Sequence, residues 1–142
     1  MTANTDSDVV LMLQFPAQAD RLKPMRSKVL EAVTQCGCSD AVARDIVLAV
    51  DEACQNVIRH AYAGVDGGTI DLEVRCVNRA IVILLRDFAA TIDVSRIKPR
   101  DLDDLRPGGL GLHFIREIMD EIEFVPPPSG RGNLLRMTKR IG

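Results

Sequence analysis

The sequence predicts an α+β domain, a two-layer sandwich in which a mixed, mostly antiparallel sheet carries its helices on one face. Three observations lead there. Segments with a hydrophobic period of two and segments with a period near 3.6 follow one another in the order β-α-α-β-β-α-β-β. Neighbouring strand segments are joined by short turns, which only antiparallel pairs allow. Leu, Ile, Val and Phe make up 43 of 142 residues, enough for one buried core and above the level of a disordered chain.

The elements can be justified in chain order. Val9 to Phe15 is a short apolar run with β-branched residues, a strand that Pro16 ends. From about Ala17 to Cys36, Leu22, Met25, Val29 and Val33 fall on one helical face, and Pro24 sits near the start, where a helix tolerates it. Gly37 is a natural helix stop. Ser39 and Asp40 are good N-cap residues for a second helix reaching about Tyr62. Its apolar face collects Val42, Ile46, Ala49, Ala53 and Val57, widened by Val47, Val50, Cys54 and Ile58.

Gly64, Gly67 and Gly68 mark a loop, after which Thr69 to Val77 alternates: Ile70, Leu72, Val74 and Cys76 on one side, polar residues on the other. Asn78-Arg79 reads as a tight hairpin turn. Ala80 to Leu85 is apolar on both faces, as a central strand is. Asp93 to Pro107 has no periodicity and reads as a lid. The glycine run at 108, 109 and 111 opens a third helix to about Asp120, followed by strands Glu121 to Val125 and Asn133 to Ile141. Residues 1–8 are expected to be a flexible tail, and 9–142 a single domain with its lid at about 93–107.

Composition excludes several classes of function. The net charge is −2, the basic residues are scattered and there is no Trp, which removes the footprint of a nucleic-acid binder. The longest apolar run is Ala80–Leu85, far short of the roughly 20 residues of a membrane span. The N-terminus MTANTDSD shows no apolar targeting segment, so the expectation is a soluble, cytoplasmic protein. Cys36-Gly-Cys38 has no second cysteine pair beside it, and His60 and His113 lie far apart, a poor match to zinc spacing. Reduced thiols are expected, with Cys54 and Cys76 serving as small hydrophobes.

Three features are able to carry chemistry. Glu52 and Asn56 lie one helical turn apart at the margin of the second helix's apolar face. A carboxylate there can serve as a general base, and a carboxamide oxygen can ligate a hard cation. Asp87 stands where the central apolar strand ends. The glycines before the third helix let a helix N-terminus approach phosphate, without forming a Walker motif or a dinucleotide fingerprint. Taken singly, each is also what an ordinary helix margin, a solvated strand end or a hinge would show.

Their order is more specific. An acid–amide helix, an acid after a buried strand, a lid and a glycine-opened helix resemble the layout of the GHKL (Bergerat-fold) ATPases. The segment Ala49-Val50-Asp51-Glu52-Ala53-Cys54-Gln55-Asn56-Val57-Ile58-Arg59-His60-Ala61-Tyr62 resembles the N-box of the anti-sigma-factor serine/threonine kinase family. Gly109-Leu110-Gly111-Leu112 and the helix running into Met119-Asp120-Glu121-Ile122-Glu123-Phe124 resemble that family's second glycine box and following strand. The similarity spans roughly residues 9 to 141.

The resemblance implies an ATP-dependent serine/threonine kinase of a partner-switching pathway. Its protein substrate would be an anti-sigma-factor antagonist of the STAS type, and a sigma factor would be a second partner. ATP and Mg²⁺ are the implied cofactors, and a homodimer stays open. Glu52 would be the general base, Asn56 the Mg²⁺ ligand beside the phosphates, and Asp87 the acceptor of the adenine amino group. Gly109, Leu110 and Gly111 would lend backbone around the phosphates, and one of Arg96, Lys98, Arg100 or Arg106 would face the γ-phosphate. Ala89 stands where the family's first glycine box has glycine, and Asn133 where a threonine is usual. These departures motivate an alternative: a binding module on the same fold, with little or no catalysis.

Overall fold

Strand β1 (Val9–Pro16) forms one edge of a five-stranded sheet whose order is β1-β2-β3-β5-β4, with β2 (Thr69–Val77), β3 (Ala80–Asp87), β4 (Glu121–Val125) and β5 (Asn133–Arg140). The computed structural model describes residues 8–61, 67–88, 111–127 and 132–141. All four pairings among these residues are antiparallel. The expected lid, residues 1–7 of the expected tail, Ala89, Gly109 and Leu110 lie outside the described residues.

The two strands that read as alternating and as apolar on both faces are both inner strands. β2 buries Ile70, Leu72 and Val74, and β3 buries Ile81, Ile83 and Leu85. Asn78 and Arg79 both take positive φ, 48° and 62°, the geometry that matches a two-residue turn to the twist of its strands. The register that follows pairs Val77 with Ala80 and Ile70 with Asp87.

The helices cover one face. A short 3₁₀ turn (Ala19–Arg21) leads into α1 (Leu22–Gln35), so the helix begins later than the period alone implies, and Pro24 sits in its first turn. Helix α1 buries Leu22, Met25, Val29, Ala32 and Val33. Ser39 caps α2 (Asp40–Asn56), its hydroxyl accepting from the Val42 N–H at 3.2 Å. The α-helical part of α2 stops at Asn56 and continues as a π turn, Val57–Ala61, and the expected end at Tyr62 lies outside the described residues. Helix α3 (Gly111–Ile118) presents Ile115, with Met119 just beyond it, to the same core. The Lys139 ammonium donates to the Ile118 carbonyl at 2.9 Å and so satisfies one of the terminal acceptors of α3.

One expectation is overturned. Cys36, the C-cap of α1, and Cys76, near the end of β2, form a disulfide with their Cα atoms 6.0 Å apart. Spacing in the sequence carries no sign of this pair, because the two residues are 40 positions apart and meet only when α1 packs beside β2. Cys54 is the fully buried small hydrophobe it was expected to be, and Cys38 is a half-buried free thiol. No cluster of three or more metal-ligating side chains occurs among the described residues.

Candidate functional site

The site has two halves, one on the sheet and one on α2. On the sheet, Asp87 ends β3 and Asn133 opens β5, and the two are direct partners in the β3–β5 register. The Asn133 Nδ2 donates to Asp87 Oδ1 at 3.0 Å. Asp87 is 5% exposed and Asn133 is 8% exposed, and they are the buried polar side chains among the described residues. A buried carboxylate is costly unless hydrogen-bonded, and the carboxamide supplies such a bond.

Gly132 holds this corner closed. Its φ is +78°, and a Cβ built on it would lie 1.9 Å from the Asp87 carbonyl oxygen and 2.9 Å from the Phe88 Cα. Only glycine lets the start of β5 pass this close to the end of β3. Beside it, the Arg86 guanidinium stacks over the Phe88 ring at 4.8 Å.

The second half is the C-terminal end of α2, where four polar residues occupy two turns. Asp51 and Gln55 belong to one chain of side-chain contacts. The Asp51 carboxylate accepts from Arg26 Nη1 of α1 at 2.9 Å and from Gln55 Nε2 at 2.6 Å. Gln55 Oε1 in turn accepts from Arg59 Nη2 at 2.6 Å. This chain of contacts fastens α2 to α1. Glu52 and Asn56 lie on the neighbouring stripe, both half-buried.

Asn56 is different in kind. Its Oδ1 is buried and has no hydrogen-bond partner among the described residues. An orphaned buried carbonyl oxygen costs about 1–3 kcal/mol, and such exceptions in a folded chain call for a reason. A hard cation takes carboxamide oxygens as ligands, so the residue present fits Mg²⁺. The π turn directly after Asn56 widens the helix at the same point, a distortion frequent at functional sites.

Connectivity puts the two halves at one end of the molecule. The disulfide from Cys36 to Cys76 fixes the start of α2 near the β2–β3 hairpin. Helix α2 then advances about 25 Å over its 17 residues, close to the length of the eight-residue β3 against which it packs. The chain leaving α2 returns in β2, where Ile70 lies opposite Asp87. Helix α3 starts at Gly111 and packs against α2.

Four sequence-derived candidates therefore lie within described elements: Glu52, Asn56, Asp87 and Gly111. Gly109, Leu110 and the four basic lid residues lie outside them. Sequence reasoning missed the part played by Gly132 and treated Asn133 only as a departure from a pattern. No local signal marks either role, since both depend on β5 arriving beside β3.

Comparison with known proteins agrees with this architecture. The histidine kinase-like ATPase domain family matches residues 15–139. A serine-protein kinase RsbW of Halalkalibacterium halodurans is 30% identical over 135 residues, covering 89% of this chain and 80% of the relative. The serine-protein kinase RsbW of Staphylococcus aureus is 30% identical over 138 residues, covering 91% and 85%. The crystal structure of the RsbU and RsbW domains of a Mycobacterium tuberculosis protein superposes with a TM-score of 0.60 at 17% identity, over 92% of this chain. This chain spans only 32% of that one, so the likeness speaks for the fold alone. The match across most of the chain, on a sheet and helices of the expected order, makes this protein a member of the histidine kinase-like ATPase domain family.

Proposed function

We propose that the protein is an ATP-dependent serine-protein kinase of a partner-switching pathway, acting in the cytoplasm. Its substrate is a serine of an anti-sigma-factor antagonist of the STAS type, and a sigma factor is the second partner it sequesters. The observation that carries this reading is the buried Asn56 Oδ1, which has no hydrogen-bond partner among the described residues, one turn beyond Glu52. The serine-protein kinases among its relatives support the reaction class.

Each residue has a task that its chemistry allows. The Asp87 carboxylate, held by Asn133, accepts a hydrogen bond from the exocyclic amino group of adenine. Asn56 Oδ1 would hold Mg²⁺, and the ion would supply positive charge toward the phosphate oxygens. Glu52 takes the proton of the serine hydroxyl as the oxygen attacks the γ-phosphorus. The backbone of Gly109, Leu110 and Gly111 surrounds the phosphates at the start of α3. One of Arg96, Lys98, Arg100 or Arg106, in a lid that carries as many acidic as basic residues, would face the γ-phosphate.

Calorimetric titration with ATP and Mg²⁺, followed by transfer of labelled γ-phosphate to a STAS-type antagonist, tests the proposal. Mg²⁺-dependent binding and a phosphoserine product are expected. Binding without transfer would favour the alternative of a partner-binding module, to which Ala89 in the glycine box points. No binding at millimolar nucleotide would refute the kinase reading and leave the partner-binding module in its place.

A further inference from the structure

At the end of the sheet away from Asp87, three cysteines gather around the α1–α2 connector. Cys36 caps α1, Gly37 turns the chain with φ +93°, Cys38 follows, and Ser39 caps α2. Cys76 stands opposite Ile81, next to the hairpin. It lies six residues along β2 from Ile70, the partner of Asp87, which is about 20 Å. We propose that Cys36 and Cys76 form a reversible thiol–disulfide site that exchanges with low-molecular-weight disulfides of the glutathione class. In the oxidised form the bond staples the connector, and with it the start of α2, to the sheet. In the reduced form packing alone holds it.

Geometry supports the pairing. The 6.0 Å between the Cα atoms lies within the range disulfides require, and it joins elements far apart in sequence. Both residues are half-buried, so a small thiol or disulfide reaches the sulfurs without unfolding the domain. The other two cysteines do not compete. Cys54 is fully buried, and burial first, then the Asp51 charge, pushes its thiol far up. Cys38 is also raised, chiefly by burial, and its Sγ donates to the Val33 carbonyl at 3.2 Å. Neither supplies much thiolate at neutral pH, and the thiolate is the attacking species.

The chemistry closes without further reagents. One protein thiolate attacks a sulfur of glutathione disulfide and expels one glutathione thiolate, leaving a mixed disulfide. The second protein thiolate attacks the protein-side sulfur of that bond and expels the other glutathione. Two electrons pass from the protein to the small disulfide, and the two protons end on the released thiols. Reduction is the same sequence reversed. Because the site is remote from Glu52 and Asp87, its state sets the lifetime of the fold and leaves the chemistry of phosphate transfer alone.

The test uses the full chain, equilibrated in glutathione buffers of varied ratio, then denatured, alkylated and weighed intact. Two labels are expected at the oxidising end and four at the reducing end, reversibly. Trypsin releases Cys76 within Cys76–Arg79, and Cys36 together with Cys38 within Val29–Arg44. Cys38→Ser therefore shows which of the two is linked, and it should leave the link in place. The staple closes a 40-residue loop, so reduction of the wild type should lower Tm by roughly 10 °C. Cys76→Ser should melt at the reduced value and ignore reductant; if it fails to fold, the reduced wild type supplies the comparison. Four labels at every ratio, loss of the link in Cys38→Ser, or a Tm indifferent to reductant would overturn the proposal.

Discussion

Asn133 donates its side-chain N–H to Asp87 at 3.0 Å across the β3–β5 ladder, and the pair is buried on both sides. Two polar side chains 46 residues apart thus answer each other inside an otherwise apolar layer. Asn133→Leu removes the donor and leaves the carboxylate in place, which should cost roughly 1–3 kcal/mol and lower Tm by about 4–8 °C. Asn133→Thr, which restores a hydroxyl, should recover part of the loss. Differential scanning calorimetry of both variants checks this, and equal melting of Asn133→Leu and wild type would show that the contact carries no weight.

Gly132 is the steric condition for that pair. Gly132→Ala places a methyl carbon 1.9 Å from the Asp87 carbonyl oxygen, far inside van der Waals contact, at a φ that L-residues rarely adopt. The expected loss is about 3 kcal/mol or more, read as a fall in the urea midpoint with an unchanged slope. A midpoint within error of wild type would mean that the two strands part easily here.

Asn56 separates function from stability with unusual clarity. Its buried Oδ1 has no partner among the described residues, so Asn56→Leu, of similar size, should leave stability unchanged or raise it by up to about 1 kcal/mol. The same variant should lose the Mg²⁺-dependent part of nucleotide affinity. Titration with and without Mg²⁺ reads the second effect. A clearly destabilised Asn56→Leu with normal Mg²⁺ dependence would assign Asn56 to folding.

For Glu52 the useful variant is Glu52→Gln, which keeps shape and removes the proton acceptor. Phosphate transfer should fall by about 10²–10⁴-fold, while the Kd for ATP moves less than about threefold. Single-turnover kinetics with labelled ATP separate the two quantities. Transfer at the wild-type rate would take the general base away from this residue.

The free thiols should titrate late. Burial, the largest cause, and the Asp40 charge raise Cys38 above the usual thiol range, so less of it is thiolate at any given pH. Iodoacetamide should label Cys38 in the native protein more slowly than free cysteine at pH 8, with the rate climbing as pH rises further. Cys54 should stay unlabelled until the chain unfolds. Native labelling of Cys54 at the rate of a free thiol would show that the core opens locally.

Much of this molecule is written in local patterns. The alternation of Thr69 to Val77 and of Glu121 to Val125 sets those strands to their observed ends, because each residue's face follows from the strand's period of two. Ser39 announces the start of α2 because its side chain can accept an N–H three residues on. Glu52 and Asn56 stand one turn apart on α2, as their helical spacing predicts. What tertiary structure alone decided are the meetings between distant segments. These are Asn133 with Asp87, Gly132 against the carbonyl of Asp87, Cys36 with Cys76, and Arg26 with Asp51. Periodicity reports which face of an element is apolar, not which element that face will cover. That choice is made when the whole sheet pairs and the helices settle on it, and only then do burial and register assign partners to polar side chains.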